Sequence, residues 1–141
     1  MLEIQNKGVL RIIDANFNRA KEGLRVCEDI CRFLFTWKTL TENFKKVRHR
    51  LTRIATQWEM AQAIQSRDSQ RDIGRKTAFE KYRRKNVQDI FNANIQRVKE
   101  SLRVLEEFSK LNDQKSAKDL KRLRYKLYAL EQEATKKFPK S

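Results

Sequence analysis

The chain has 141 residues, of which 39% are hydrophobic and 36% are charged, so it is long enough for one domain around one hydrophobic core. Three glycines and one proline leave too few turn residues for a sandwich or barrel of hairpins, and they exclude a glycine-rich phosphate loop. The 33 Lys and Arg against 18 Asp and Glu give a net charge of +15, which predicts an anionic partner.

The N-terminus and the cysteines indicate the cellular compartment. No apolar run approaches the about 20 residues that cross a bilayer, and residues 1–10 lack the apolar stretch of a secretory signal. Cys27 and Cys31 are too few for a disulfide framework. Because both fall on an apolar helix stripe, buried core positions are favoured over metal ligation. We therefore expect a cytoplasmic protein that does not bind membranes.

Apolar residues recur at alternating spacings of three and four in four stretches, which predicts four amphipathic helices. The predicted core stripes are Ile13, Phe17, Ala20, Leu24, Cys27, Cys31 and Leu34; Leu40, Phe44, Val47, Leu51, Ile54, Trp58 and Ala61; Phe91, Ile95, Val98, Leu102 and Leu105; and Leu120, Leu123, Leu127, Leu130 and Ala134. The expected N-cap of the second helix is Thr39 or Thr41, and that of the fourth is Asp113 or Ser116.

An internal repeat organises these helices. Residues 14–29 match residues 92–107 at nine of sixteen positions, and residues 44–51 align in the same way with residues 120–127. We therefore expect a single all-α domain over residues 1–141, a four-helix bundle made of two duplicated hairpins with pseudo-two-fold symmetry. Repeat one would span about 10–65 and repeat two about 87–138, with a central loop at about 66–86.

The central loop carries charged residues that the repeat does not duplicate. It contains Arg67, Asp68 and Asp72, followed by Gly74. Carboxylates are the usual protein ligands of Mg²⁺, and arginine binds phosphate through two parallel hydrogen bonds. The loop therefore predicts a catalytic site in which Asp68 and Asp72 hold the metal and Arg67 contacts a transferred phosphoryl group. Gly74 would let the loop close over a nucleotide; the alternative is an ordinary solvated loop.

A second candidate site lies on the first and third predicted helices. Asn16 and Arg19 on the first helix correspond in the repeat to Asn94 and Arg97 on the third. Because a buried polar side chain without a partner costs several kcal/mol, these positions predict a ligand-lined cleft where the two helices meet. The amides would orient the ligand and the arginines would hold its phosphate. The alternative is a network of structural ion pairs.

Small and acidic residues continue the same motif. Gly23 and Ser101 would leave room for the ligand. Glu22 and Glu100 would fix the arginines or take part in binding a cation; on spacing alone, a solvated face of ion pairs spaced by three residues is the favoured explanation.

Several of these motifs occur together in one known family. Residues 14–29, Arg48-His49-Arg50-Leu51, Arg67-Asp68, Asp72-Ile73-Gly74 and residues 94–107 appear in the order that this family has. Through them the chain resembles the small helical hydroxymethylpyrimidine phosphate kinase of thiamin biosynthesis, which also occurs fused in front of thiamin phosphate synthase. The resemblance implies a transferase that uses ATP and Mg²⁺ to convert hydroxymethylpyrimidine monophosphate into the diphosphate.

The positive charge keeps two other functions open. A nucleic-acid-binding module would suit a net charge of +15, but the basic residues are spread over every helix, and Trp37, Trp58 and Tyr82 form no evident stacking row. A protein-interaction module without catalytic activity is the other alternative, with Phe35 and Trp37 as an exposed anchor. A homodimer is compatible with each of these functions.

Overall fold

The computed structural model describes residues 7–57 and 83–140. Within these ranges the chain forms four α-helices and no strand, which confirms the all-α prediction. The helices are α1 (Lys7–Asp29), α2 (Lys38–Gln57), α3 (Val87–Ser109) and α4 (Gln114–Lys137), and a π-helical turn (Ile30–Leu34) follows α1. Most of the predicted central loop lies outside the described residues. None of the helices in the described ranges is long and apolar enough to cross a membrane.

The four helices form a bundle whose centre is the pair α1 and α3. Helix α2 covers α1, α4 covers α3, and α2 also meets α4. The central pair is antiparallel, because the C-terminal half of α1 lies against the N-terminal half of α3: the thiol of Cys27 is 3.9 Å from the carbonyl oxygen of Phe91. The two hairpin connections therefore lie at opposite ends of the bundle.

The predicted core stripes are buried as expected wherever the structure describes them, with one exception. Leu34 is 60% exposed because it belongs to the π-helical turn. A π-helical turn holds more residues than an α-helical turn, so it rotates Leu34 away from the stripe that the α-helical spacing predicts. Trp58 and Ala61, at the end of the second stripe, lie outside the described residues.

An aromatic cluster closes the end of the bundle beside that turn. The rings of Phe35 and Trp37 stack with centroids 4.4 Å apart, and Phe138 meets both rings edge-on. Both side chains pack against the core, so the prediction that they form an exposed anchor is wrong. The C-terminal residue of the cluster, Phe138, covers them, and Phe33 is the exposed aromatic residue of this connection.

A glycine sets the distance between α1 and α3. A Cβ atom at Gly23 would lie 2.5 Å from Cγ2 of Val98 and 3.0 Å from the carbonyl oxygen of Asn94. The backbones approach so closely here that no side chain fits on this side of α1. Gly23 therefore allows the two helices to pack closely. The prediction that it leaves room for a ligand between α1 and α3 is wrong.

The N-cap of α4 is Asp113, one of the two residues predicted for that role. Its carboxylate accepts hydrogen bonds from the backbone N–H of Lys115 and from the hydroxyl of Ser116. The hydrogen bond from Ser116 is the main reason that the pKa of Asp113 lies below its usual value. Thr41 does not cap α2, because its hydroxyl donates to the carbonyl oxygen of Trp37, the residue before that helix.

Replacing Gly23 by alanine should lower the free energy of unfolding. We expect Gly23→Ala to cost about 1–3 kcal/mol, as overpacking in a core does, even though alanine favours a helix more than glycine does. Urea denaturation followed by circular dichroism measures the loss. Val98→Ala removes one of the two clashing groups, so the double variant should lose less than the sum of the single losses. Strict additivity would contradict the close contact.

Removing the cap of α4 should destabilise the protein in a pH-dependent way. Asp113→Ala should cost about 1 kcal/mol at pH 6, the usual effect of losing an N-cap. Because the folded-state pKa of Asp113 is lowered, its contribution is complete above the unfolded pKa and is lost as the pH falls through the folded value. Thermal unfolding at pH 6 and pH 3 should show the difference between wild type and variant shrinking. Asp113→Asn keeps an acceptor and is the control, with a smaller loss at pH 6.

Candidate functional site

The catalytic and metal-binding residues predicted in the central loop, Arg67, Asp68, Asp72 and Gly74, lie outside the described residues. Their roles, and the binding of ATP and Mg²⁺, stay predictions. In the ranges 7–57 and 83–140, no three His, Cys, Asp or Glu side chains are grouped so that they could hold a metal ion.

The predicted cleft residues separate into buried amides and exposed arginines. The side-chain amides of Asn16 and Asn94 each donate a hydrogen bond of 2.8 Å to the carbonyl four residues earlier in their own helix. Asn16 is buried and Asn94 is half-buried, whereas Arg19 and Arg97 are exposed. The structure therefore does not bring the four side chains into one enclosed cavity. The long arginine side chains leave the helix interface for the surface.

The structure places two open grooves on the outer faces of the hairpins. The first groove, between α1 and α2, has a volume of about 470 Å³ and is lined by Asn18, Lys21, Glu22, Arg25, Arg48 and Thr52. The second groove, between α3 and α4, has a volume of about 440 Å³ and is lined by Gln96, Lys99, Glu100, Arg103, Arg124 and Tyr128. Of the predicted binding residues, Glu22 lies in the first groove and Glu100 in the second.

The sequence alignment of the two hairpins relates the grooves position by position. The alignment of residues 14–29 with residues 92–107 pairs the four α1 positions of the first groove with the four α3 positions of the second. The alignment of α2 with α4, continued one residue past 44–51, pairs the remaining two positions. Three cationic side chains and one exposed carboxylate recur in each groove. Most of these residues lie beside the stripe that faces the helix interface, so the residue spacing along that stripe did not indicate them. The two alignments taken together are the signal that indicates these groove residues.

A buried ion pair holds one arginine of each groove in place. Nε of Arg48 lies 2.8 Å from Oε1 of Glu28, and a second N–H donates to Oε2 at 3.3 Å. Arg124 pairs with Glu106 in the same way, and its shortest contact is 3.0 Å. The side chains of the two glutamates are only 3% and 5% exposed. Each pair fixes a largely covered guanidinium at the wall of an open groove.

The two cysteines play no part in this chemistry. Both are fully buried in α1 and the turn after it, as predicted from their stripe. Burial, helped by the charge of Glu28, raises the pKa of Cys31 to about 11. Burial also raises the pKa of Cys27 far above its usual value. Both thiols therefore stay protonated at neutral pH, a state in which they are poor nucleophiles and poor metal ligands.

Comparison with known proteins identifies relatives over nearly the whole chain. The model of the ThiD2 family matches residues 11–133. The chain is 39% identical over 132 residues to the thiamine-phosphate synthase of Synechocystis sp., covering 93% of this chain and 37% of that protein. It is 39% identical over 131 residues to the thiamine-phosphate synthase of Rhodopirellula baltica, covering 92% and 35%. No solved structure matches the chain.

The chain spans little more than a third of the length of these relatives. Their name corrects one prediction. They are called thiamine-phosphate synthases, so the expected phosphorylation of hydroxymethylpyrimidine monophosphate is wrong as the function of this chain. The helical motifs identified the domain correctly, but motifs shared by a domain do not specify the reaction of the proteins that contain it.

Breaking the buried ion pair should destabilise the fold strongly. Arg48→Met leaves the Glu28 carboxylate buried without a cation, which typically costs about 3–5 kcal/mol. The double variant Glu28→Gln with Arg48→Met removes both charges and should recover most of the loss. Urea denaturation of the wild type, the single variant and the double variant measures this. As a surface control, Lys110→Met breaks only the exposed pair with Glu107 and should change stability little. An Arg48→Met variant as stable as the wild type would show that the pair does not stabilise the fold.

Proposed function

Since this chain belongs to the ThiD2 family, we propose that it takes part in thiamin biosynthesis, in the formation of thiamine phosphate. Its similarity to thiamine-phosphate synthases over almost its whole length supports this reaction. Because it matches only about a third of those proteins, we infer that it supplies one component of the reaction. A second component, of the kind that makes up the rest of the relatives, would supply the remainder.

The contribution that the geometry supports best is the binding of a phosphorylated reactant or product. The observation that supports this is an open groove in which three cationic side chains lie beside one exposed carboxylate. Arginine and lysine bind phosphate oxygens through charge-assisted hydrogen bonds. Thiamine phosphate carries a phosphate at one end and a positively charged ring elsewhere. A groove with both signs of charge therefore complements it.

The charge of the whole chain favours the same class of ligand. A net charge of +15 raises the local concentration of small anions and speeds their binding, and the effect weakens as salt is added. Nucleic acid is an anion as well, but the grooves are short, and each is lined by residues of two helices only.

The proposed function predicts a nutritional requirement. Cells that lack this chain should need added thiamin for growth, and expression of the intact chain should remove the requirement. The measurement is growth rate in medium with and without thiamin, and the control is the same strain supplied with thiamin. Growth of the deletion strain at the normal rate without thiamin would contradict a role in this pathway.

A further inference from the structure

The two grooves correspond in the sequence alignment but differ in the ion-pair partners of their lysines. In the second groove, Nζ of Lys99 lies 2.9 Å and 3.0 Å from the two carboxylate oxygens of Glu131. The alignment of the hairpins equates Lys99 with Lys21 and, continued along α2 and α4, Glu131 with Ala55. Alanine has no carboxylate to offer, so the first groove lacks the ion pair that occupies the second.

A tyrosine also contacts the cations of the second groove. The hydroxyl of Tyr128 accepts a hydrogen bond of 3.3 Å from Arg124, and its ring lies 5.3 Å from Nζ of Lys99. The counterpart of Tyr128 is Thr52, whose hydroxyl instead donates to the carbonyl of Arg48 within α2. Among the described residues that line the first groove, therefore, none is aromatic.

Arg103 of the second groove also has ion-pair partners that its counterpart in the first groove lacks within the described part of the chain. In the second groove, the guanidinium of Arg103 lies 3.6 Å from Glu106 and 3.9 Å from Glu107. Its counterpart is Arg25, which is exposed. Among the described residues, no side chain lies within ion-pair or hydrogen-bond distance of Lys21 or Arg25. Because they are four residues apart on one helix, these two cations face the same groove.

We infer that the first groove is a phosphate-binding site and that the second groove is not. Lys21 and Arg25 contact the phosphate, and Arg48, held by Glu28, lies in the same wall. Asn18 and Thr52 line the groove as neutral polar groups. In the second groove the corresponding cations are neutralised by carboxylates of the chain itself. The choice of a phosphate ester as ligand rests on the proposed function; the choice of groove rests on the pairing alone.

Thiamine phosphate and inorganic phosphate are the probes, and isothermal titration calorimetry at low salt is the measurement. Lys21→Ala with Arg25→Ala should weaken the affinity for thiamine phosphate by about tenfold or more, because two charge-assisted contacts are lost. The matched variant in the other hairpin, Lys99→Ala with Arg103→Ala, should leave the affinity nearly unchanged. Equal losses in the two variants, or a loss only in the second, would overturn the inference.

Exchanging the differing positions gives an independent test that leaves the phosphate-binding cations in place. Glu131→Ala with Tyr128→Thr gives the second groove the residues of the first at these two positions and removes the partner of Lys99, so the stoichiometry for inorganic phosphate should rise from one towards two. Ala55→Glu introduces a carboxylate at the position aligned with Glu131 and should weaken binding by pairing with Lys21, whereas Ala55→Gln, of equal size, is the control for the altered packing at this buried position. An unchanged stoichiometry together with unchanged binding by Ala55→Glu would overturn the assignment.

These results are separable from the growth test. If the Lys21→Ala and Arg25→Ala double variant keeps full affinity while the chain still removes the thiamin requirement, the groove assignment is wrong and the role in the pathway stands. If the double variant loses affinity but the deletion strain grows without thiamin, the phosphate site stands and the proposed pathway does not.

Discussion

The close approach of α1 and α3 at Gly23 limits where a ligand can bind among the described residues. With Val98 and the Asn94 carbonyl directly opposite Gly23, the central helix pair leaves no room for a ligand at this point. Polar side chains from these helices must therefore bond to their own helix, as Asn16 and Asn94 do, or extend to the surface, as Arg19 and Arg97 do. Among the described residues, the two grooves with several cationic side chains lie on the outer faces, where α1 meets α2 and α3 meets α4.

The fold could be predicted from the spacing of apolar residues, because burial of a helix stripe follows directly from that spacing. The spacing failed at Leu34, where a π-helical turn changes the number of residues per turn. The site was harder to predict, because a glycine on a helix has two meanings: space for a ligand or contact with a neighbouring backbone. Only the position of Val98 and Asn94 opposite Gly23 decides between them.

The first and second grooves show how equivalent positions can differ in chemical use. The buried pairs Glu28–Arg48 and Glu106–Arg124 are the same in both hairpins, which is expected for contacts that stabilise the fold. Another aligned pair differs: Glu131 forms an ion pair with Lys99, whereas the aligned residue of the other hairpin is Ala55, which is buried in the core. The presence or absence of this carboxylate decides whether the lysine is paired with another described residue or is available to a ligand.

Cys27 in α1 and Cys31 in the turn after it can report on unfolding through the reactivity of their thiols. Because Cys27 and Cys31 are fully covered and their pKa values are raised by burial, a thiol-directed reagent reaches them only after the helix pair has separated. The rate of labelling then follows the fraction of opened molecules. Oxidative damage at these sulfurs is limited in the same way, since it follows thiolate character and exposure.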